Sequence, residues 1–309
     1  MQSFQGVFAG HLTLVHKGKV RETYEVPGRP DLLLVVATDR VSTHNMVHQS
    51  IVSDKGAVLT ALTVHWLTEI FKDLPHHLVA AGQEIYRYIP LRLREEVPNL
   101  ESRAIIVRKL DMVFVEFILR RYMVGKGSLY RAYVDGYDPY GLRLPKGLPV
   151  MHRFDEPVFT PTDKSEEDRP LYREVVEKEC PEASDLAKRL FELGEEHLAS
   201  CGIALLDSKF EVGYSPKRQI AIADEILTPD SSRFADLEQV REGQDPSWLD
   251  KQLLRDAAES KWTGGEKYPV CFSQDVLDQT CRTMGSILHR VSGTSLSQWR
   301  QGKRFDFHI

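Results

Sequence analysis

The sequence predicts a large protein of mixed strands and helices, arranged either as one large α/β domain or as two lobes. Its 309 residues exceed what a minimal domain needs. Uninterrupted apolar runs at residues 32–37 and 104–109 predict buried strands. Residues 181–199 repeat apolar side chains at helical spacing after a proline, which predicts an amphipathic helix. Strands and helices of this kind are sufficient for a sizeable core.

Composition narrows the class of protein. Hydrophobic residues make up 42% of the chain and charged residues 28%, as in an ordinary soluble globular protein. A formal net charge of −5 argues against a general nucleic-acid binder. The four cysteines form no CxxC pair, so we expect reduced thiols rather than a disulfide framework or a zinc site.

Neither a secretion signal nor a membrane segment is predicted. The first residues contain no basic start followed by an uninterrupted apolar stretch. No apolar run approaches the ~20 residues that span a bilayer. We therefore expect a cytoplasmic protein with no membrane or nucleic-acid partner.

The strongest chemical signal lies in residues 203–226, where two apolar runs flank the turn YSPKRQ. This pattern predicts a β-hairpin. Period-two alternation puts Asp207, Lys209 and Glu211 on one face, and the second run ends in Asp224. Carboxylates around a lysine suit Mg²⁺ and a phosphate chain. A salt-bridged, exposed sheet face is the alternative.

Two further segments carry polar groups beside predicted strands. The run HKGKVRETYEV predicts a strand whose basic face follows Gly18, and Gly18, Lys19 and Arg21 could approach an anion. A basic edge strand is the alternative. Asp39 and Ser42 follow the buried strand at 32–37, a position that often lines a binding site, although capping of the loop explains them equally well.

Residues 113–127 predict a strand and a cationic loop. Glu116 and Arg120 share a face if the segment is extended, and Gly125-Lys126-Gly127 lacks the spacing of a P-loop. The proline-rich residues 137–164 are expected to form a long loop, and closure of residues 137–170 over substrate is a hypothesis.

Eight motifs, taken in order, resemble those of the SAICAR synthetases (phosphoribosylaminoimidazole-succinocarboxamide synthases) of purine biosynthesis. The motifs are HKGKVRETYEV, ATDRVS, KGAVLTALTVHW, FVEFILRRYMVGKG, EPVFTPTDK, LLDSKFEVG, ADEILTPDSSR and LDKQLLRDAAES. They extend from about residue 17 to residue 260.

The resemblance implies an α+β, two-lobed fold. It places a β-rich, ATP-covering lobe at residues 1–110 and a larger mixed α/β lobe, with the metal and substrate site, at residues 111–309. It also implies a reaction: an ATP-dependent ligase activates carboxyaminoimidazole ribotide (CAIR), by way of a carboxyl phosphate, and joins it to L-aspartate with Mg²⁺ as cofactor.

The resemblance assigns roles to most of the residues singled out above. Asp39 and Ser42, which follow the predicted strand at residues 32–37, are added to them as substrate-binding residues. The predicted site then comprises catalytic Lys209 and Asp207; ATP-binding Gly18, Lys19, Arg21 and Lys109; metal-binding Glu211 and Asp224; and substrate-binding Asp39, Ser42, Glu116, Arg120, Lys126, Ser232 and Arg233.

This chain departs from the family pattern at three places, all in the part of the site that would hold CAIR and aspartate. The family usually has a serine in the loop where this chain has Lys126, and an aspartate where it has Asn45. The family's His-Asp-Glu cluster is missing near Asp168. Two alternatives therefore stay open beside SAICAR synthesis: a related ligase with another acid or amine, and a nucleotide-binding protein without catalysis. The sequence also leaves a homo-oligomer open.

Overall fold

The computed structural model describes residues 3–263 and 266–302 and contains two compact units. Unit 1 comprises Met1–Leu110 with Lys251–Ile309, and unit 2 comprises Asp111–Asp250. The prediction of lobes at residues 1–110 and 111–309 stays a prediction. Residues from both ends of the chain meet in unit 1, where the buried Trp299 donates its indole N–H to the carbonyl of Ser102 at 2.8 Å.

Unit 1 is built on a five-stranded antiparallel sheet in the order β1-β2-β3-β7-β6. The strands are β1 (Leu14–Lys17), β2 (Arg21–Val26), β3 (Arg29–Ala37), β6 (Leu78–Ala81) and β7 (Ala104–Arg108). A separate hairpin joins β4 (Arg40–Thr43) and β5 (Met46–Ile51). Alternation along β3 buries Leu32, Leu34 and Val36 in the core, as period-two patterning requires.

Helices pack around this sheet. They are α1 (Gln5–Phe8), α2 (Lys55–His65), α3 (Leu93–Glu96), α7 (Gln252–Glu259), α8 (Gln274–Ser292) and α9 (Leu296–Arg300), with a π-helical turn at Trp66–Ile70 and 3₁₀ turns at Gly82–Arg87 and Leu100–Ser102. Helix α2 begins at Lys55 and comes so close to the end of β3 that a Cβ on Gly56 would lie 2.4 Å from the carbonyl oxygen of Ala37.

Unit 2 contains a seven-stranded antiparallel sheet in which β12 is central. The order is β10-β9-β12-β13, with β11 on β9 and with β8 and β14 on β12. The strands are β8 (Asp111–Met112), β9 (Val115–Tyr122), β10 (Arg153–Phe159), β11 (Thr162–Asp163), β12 (Ile203–Tyr214), β13 (Ile220–Ala223) and β14 (Ser232–Asp236). Antiparallel sheets accompanied by helices confirm the α+β class.

Three helices and one short turn complete unit 2: α4 (Ser128–Val134), α5 (Arg173–Glu179), α6 (Pro181–Ser200) and the 3₁₀ turn Leu237–Gln239. The predicted helix after Pro181 and the predicted hairpin, β12 with β13, are both present. Residues 137–164 differ from the expected long loop because Phe154 and Phe159 are buried and carry β10 onto β9. Among the described residues, no helix is long and apolar enough to cross a membrane.

Candidate active site

Strand β12 of unit 2 presents three charged side chains on one face. Asp207, Lys209 and Glu211 alternate with the buried Ser208 and Phe210. In the neighbouring strand β9, Glu116 and Arg120 face the same way, because Asp207 pairs with Arg120 in the antiparallel register. The alternation predicted from sequence therefore produces one charged surface across two strands.

Lys209 occupies the centre of this surface. Its ammonium group donates to Glu116 Oε1 and to Glu211 Oε1, both at 2.9 Å. Burial disfavours the charge of Lys209, but the charges of Glu211, Glu116 and Asp224 outweigh burial and raise its pKa above the usual range. Lys209 is consequently a fixed cation and not a proton acceptor.

Glu211 is the carboxylate most strongly tied to cations. It forms ion pairs with Lys209 and with Lys164. Burial acts to raise the pKa of Glu211, yet the nearby ammonium groups of Lys209 and Lys164 lower it overall. Lys164 was not among the predicted site residues. Its place in the sequence, four residues after Thr160, fits no strand or helix periodicity that would indicate a site residue. It lies beside Glu211 because β11 pairs with β9.

Glu211 and Asp224 form a donor set that suits a divalent metal. Ala223 pairs with Glu211 across the hairpin, and Asp224 follows directly, with a positive φ of 57° that turns the chain at the strand end. No group of three metal-binding side chains occurs within the residues that the structure describes. Mg²⁺ takes only one or two protein carboxylates and completes its shell with water and phosphate oxygens, so the pair fits it.

Beside Lys209 lies a cluster with an excess of positive charge. Arg120 and Arg233 donate to the same oxygen of Asp207, at 2.9 and 2.8 Å. Two guanidinium groups against one carboxylate leave a formal charge of +1, and the buried Nε of Arg233 makes no hydrogen bond. Asp207, predicted as catalytic, thus contacts arginines, and the cluster retains capacity for an anion.

The loop before α4 and the first residue of that helix lie beside this arginine cluster. Ser128 accepts a hydrogen bond from Arg120 at 3.3 Å, and a Cβ on Gly127 would lie 3.1 Å from a terminal nitrogen of Arg233. Lys126 is exposed on the same loop. Ser128 therefore places a hydroxyl group beside the arginines. It is not among the predicted site residues, although its position directly after Gly127 is a sequence signal that points to it.

Ser232 differs from its predicted role. It pairs with Ser208 in the register of β14 on β12, and the two hydroxyl groups are hydrogen-bonded at 2.9 Å. Arg233 pairs with Asp207 instead. Alternation thus directs Ser232 and Arg233 to opposite faces, and the hydroxyl of Ser232 is used within the buried side of the sheet.

In unit 1, the predicted phosphate-binding residues lie in the turn between β1 and β2. The turn is closed by a hydrogen bond from Gly18 N to Arg21 O at 2.9 Å. Lys19 is exposed, and its ammonium group donates to Asn45 Oδ1 at 2.8 Å. Lys109 is also exposed, directly after β7. These cations are accessible to an anion.

Asp39 and Ser42 behave differently from each other. Asp39 is buried and accepts hydrogen bonds from Arg103 at 3.0 Å and from the backbone N–H of Gly56 at 3.1 Å. The capping alternative therefore describes Asp39, which ties the end of β3 to the start of α2. Ser42 is half-buried within β4.

A cavity of about 720 Å³ in unit 2 lies away from these residues. It adjoins Arg121, Glu195 and Glu196, and none of the predicted site residues lines it. Arg121 alternates with Arg120 along β9, so the cavity belongs to the other face of the sheet. The charged surface on β12, and not this cavity, is the candidate active site of unit 2.

Known proteins resemble the chain along most of its length. The family model described as SAICAR synthetase matches residues 14–269. Phosphoribosylaminoimidazole-succinocarboxamide synthases of Pichia angusta and Saccharomyces cerevisiae are 35% and 36% identical, over 92% and 88% of this chain and 96% and 91% of their own. The solved SAICAR-synthase from Saccharomyces cerevisiae complexed with SAICAR superposes with a TM-score of 0.81 at 33% identity, covering 93% of this chain and 96% of that one.

Proposed function

The chain belongs to the SAICAR synthetase family, and we propose that it joins CAIR to L-aspartate with cleavage of ATP, giving SAICAR, ADP and phosphate. Its activity is that of an ATP-dependent ligase of purine biosynthesis, phosphoribosylaminoimidazole-succinocarboxamide synthase. The observation that carries the proposal beyond family membership is the cation Lys209, held between Glu116 and Glu211 beside an anion-binding arginine cluster.

The reaction proceeds in two displacements. An oxygen of the CAIR carboxylate attacks the γ-phosphorus of ATP, the bond to the ADP oxygen breaks, and a carboxyl phosphate forms. The amine of aspartate then attacks the carbonyl carbon, the bond to phosphate breaks, and the nitrogen releases a proton. Such phosphoryl transfer depends on positioning and on neutralising charge rather than on a covalent protein group.

Lys209 supplies fixed positive charge to this chemistry. Its raised pKa keeps it protonated, so it stabilises negative charge that develops on the transferring phosphoryl group and on the carboxylate. Glu211 and Asp224 would hold Mg²⁺, which when bound neutralises phosphate oxygens. Lys164 pairs with Glu211, and its ammonium group would add positive charge for a phosphate beside the carboxylates that would hold the metal.

The arginine cluster suits the phosphate of the ribotide. Arginine forks a phosphate with two parallel hydrogen bonds, and Arg233 has a buried Nε without a hydrogen-bond partner. Asp207 orients both arginines and neutralises only one of their two positive charges. Ser128, the first residue of α4, provides a hydroxyl group next to the loop in which the resemblance leads us to expect a serine. The exposed Lys126 adds a longer-range charge.

The nucleotide is assigned to unit 1. Gly18, Lys19 and Arg21 form a turn in which a glycine is flanked by cations, an arrangement that covers phosphates. Lys109 adds a further exposed cation. Asp39 is not assigned to substrate, because its oxygen is engaged by Arg103 and Gly56.

A product assay tests the proposal. The purified protein is incubated with ATP, Mg²⁺, CAIR and a panel of amines that includes L-aspartate, L-glutamate and ammonia, and products are identified by mass spectrometry. We expect SAICAR with L-aspartate and no amide with the others. An amide with a different amine would establish a related ligase, and binding of ATP without any amide product would establish a non-catalytic nucleotide-binding protein.

A further inference from the structure

Arg40, at the start of β4, makes an unusual set of contacts with the β1–β2 turn. Its Nε donates to the carbonyl of Lys19 at 2.8 Å, and its Nη2 donates to the carbonyls of Gly18 at 2.8 Å and Arg21 at 3.4 Å. One guanidinium group thus binds three of the carbonyls in the turn that carries the cations assigned to ATP.

The remaining donor of Arg40 is anchored in the core of unit 1. Its Nη1 donates to Glu22 Oε1 at 2.7 Å, and Glu22 is fully buried. Glu22 also accepts hydrogen bonds from Ser3, from the backbone N–H of Phe4 and from Tyr24. Because Glu22 is held by four donors, Arg40 has a fixed base from which to hold the turn.

These contacts have an electrostatic consequence for the turn. Carbonyl oxygens carry partial negative charge and repel phosphate, whereas ammonium and guanidinium groups attract it. Binding of the carbonyls of Gly18, Lys19 and Arg21 to a buried cation fixes them towards the protein interior. Arg40 is itself buried and committed to Glu22 and these carbonyls, so its effect on a nucleotide is exerted through the turn.

We propose that Arg40 is a positioning residue for the nucleotide: it holds the 18–21 turn in the conformation that presents Lys19 and Arg21 to the phosphates of ATP. The inference rests on the proposed role of this turn in ATP binding. A guanidinium group is required, because an ammonium group offers a single point of charge and cannot reach three carbonyls and a carboxylate in one plane.

The test compares Arg40→Gln and Arg40→Lys in the full chain. Dissociation constants for a non-hydrolysable ATP analogue and for CAIR are measured by calorimetry, together with the KM values for ATP and CAIR. We expect Arg40→Gln to weaken ATP binding about tenfold or more and to leave CAIR binding within about twofold, since a misplaced group loses its interaction steeply with distance. Arg40→Lys should fall in between.

Arg29→Gln is the matched control. Arg29 pairs with Asp31 in the same unit at 2.8 Å, is half-exposed, and does not contact the turn, so ATP binding should not change. A second test is a double-mutant cycle. Lys19→Ala should weaken ATP binding strongly in the wild type. It should weaken ATP binding much less in Arg40→Lys, because Lys19 is already displaced in that variant.

The outcomes separate this inference from the proposed function. ATP binding that is equal in wild type and Arg40→Gln, equal losses of ATP and CAIR binding, or additive effects of Lys19→Ala and Arg40→Lys would each overturn it. If the wild type binds ATP but forms no SAICAR, the proposed function fails while the comparison of dissociation constants still tests Arg40. If Arg40→Gln does not fold, Arg40→Lys and Glu22→Gln provide the same comparison.

Discussion

Arg233 offers the most direct test of the anion site at the scale of single residues. Replacing it with alanine removes one of the two cations on Asp207 and the buried Nε. A charge-assisted hydrogen bond contributes about 2 kcal/mol, so the KM for CAIR should rise about 30-fold. Steady-state kinetics measure this, with Arg218→Ala, an arginine stacked on Tyr214, as the control. A rise confined to the KM for ATP would show that Arg233 serves the nucleotide.

Glu211→Gln tests the metal assignment with almost no change of shape. The amide cannot replace a carboxylate on Mg²⁺ and leaves Lys164 and Lys209 without their shared anion. We expect kcat to fall about 100-fold or more, as when a transition-state contact is lost, and the Mg²⁺ concentration for half-maximal rate to increase. Glu177→Gln, which breaks the surface pair with Lys188, should change neither. Near-normal turnover of Glu211→Gln would remove it from the metal site.

The lowered pKa of Glu211 also predicts how stability depends on pH. Its pKa in the folded protein lies below the usual 4.5, so the folded state favours the ionised form. This stabilisation is complete above about pH 4.5 and is lost as the pH falls through the lower folded-state pKa. In urea titrations, the difference in free energy of unfolding between wild type and Glu211→Gln should be constant from pH 8 to 5 and should change only at lower pH. A change near neutral pH would mean that another group titrates.

Single residues also show how far the site could be predicted. Alternation along one strand was sufficient to place Asp207, Lys209 and Glu211 on a common face. Lys164 and Ser128 reach that face from separate segments, and no local pattern records which strand they approach. The contacts of Arg40 could not be predicted for another reason. Its partners are mostly backbone carbonyls, which every residue possesses.

At the scale of elements, the packing of α2 on β3 depends on Gly56. An added methyl group would lie 2.4 Å from Ala37 O and 2.8 Å from Ala37 C, and backbone atoms cannot rotate away. Gly56→Ala should therefore lower the free energy of unfolding by about 1–3 kcal/mol, the usual cost of overpacking. Urea denaturation followed by circular dichroism measures the change.

Gly285→Ala in α8 is the matched control for this element. Nothing lies within 4 Å of a Cβ built at Gly285, so the intrinsic preference of alanine for helices should raise the free energy of unfolding by up to about 1 kcal/mol. Equal effects of the two substitutions would show that helix propensity, and not contact with Ala37, decides the outcome at Gly56.

Elements with strong periodicity were predicted well, and irregular segments were not. Helix α6 and the hairpin β12–β13 carry their own signals in proline, glycine and apolar spacing. Strand β10 lies in a proline-rich stretch that reads as loop, because an edge strand needs hydrogen bonds on one side only and tolerates Pro157. Its place in the sheet depends on the burial of Phe154 and Phe159, which is a tertiary effect.

For the molecule as a whole, unit 1 combines segments that are distant in sequence. Trp299 and Arg300 in α9 bind Ser102 and Asp54, so the last described helices complete the unit that begins the chain. An amphipathic stripe predicts that a helix such as α8 is buried on one side, but not which sheet or helix covers it. The sequence therefore does not show that the C-terminal helices join the unit formed by the first 110 residues.

The central claim is that ATP activates the CAIR carboxylate by phosphorylation before the amine attacks. CAIR labelled with ¹⁸O at both carboxylate oxygens is incubated with the protein, ATP, Mg²⁺ and L-aspartate, and the released phosphate is analysed by mass spectrometry. We predict one ¹⁸O atom in the inorganic phosphate for each SAICAR formed, because the carboxyl oxygen leaves with the phosphoryl group. Label that appears in AMP, or unlabelled phosphate accompanying labelled SAICAR, would contradict the account.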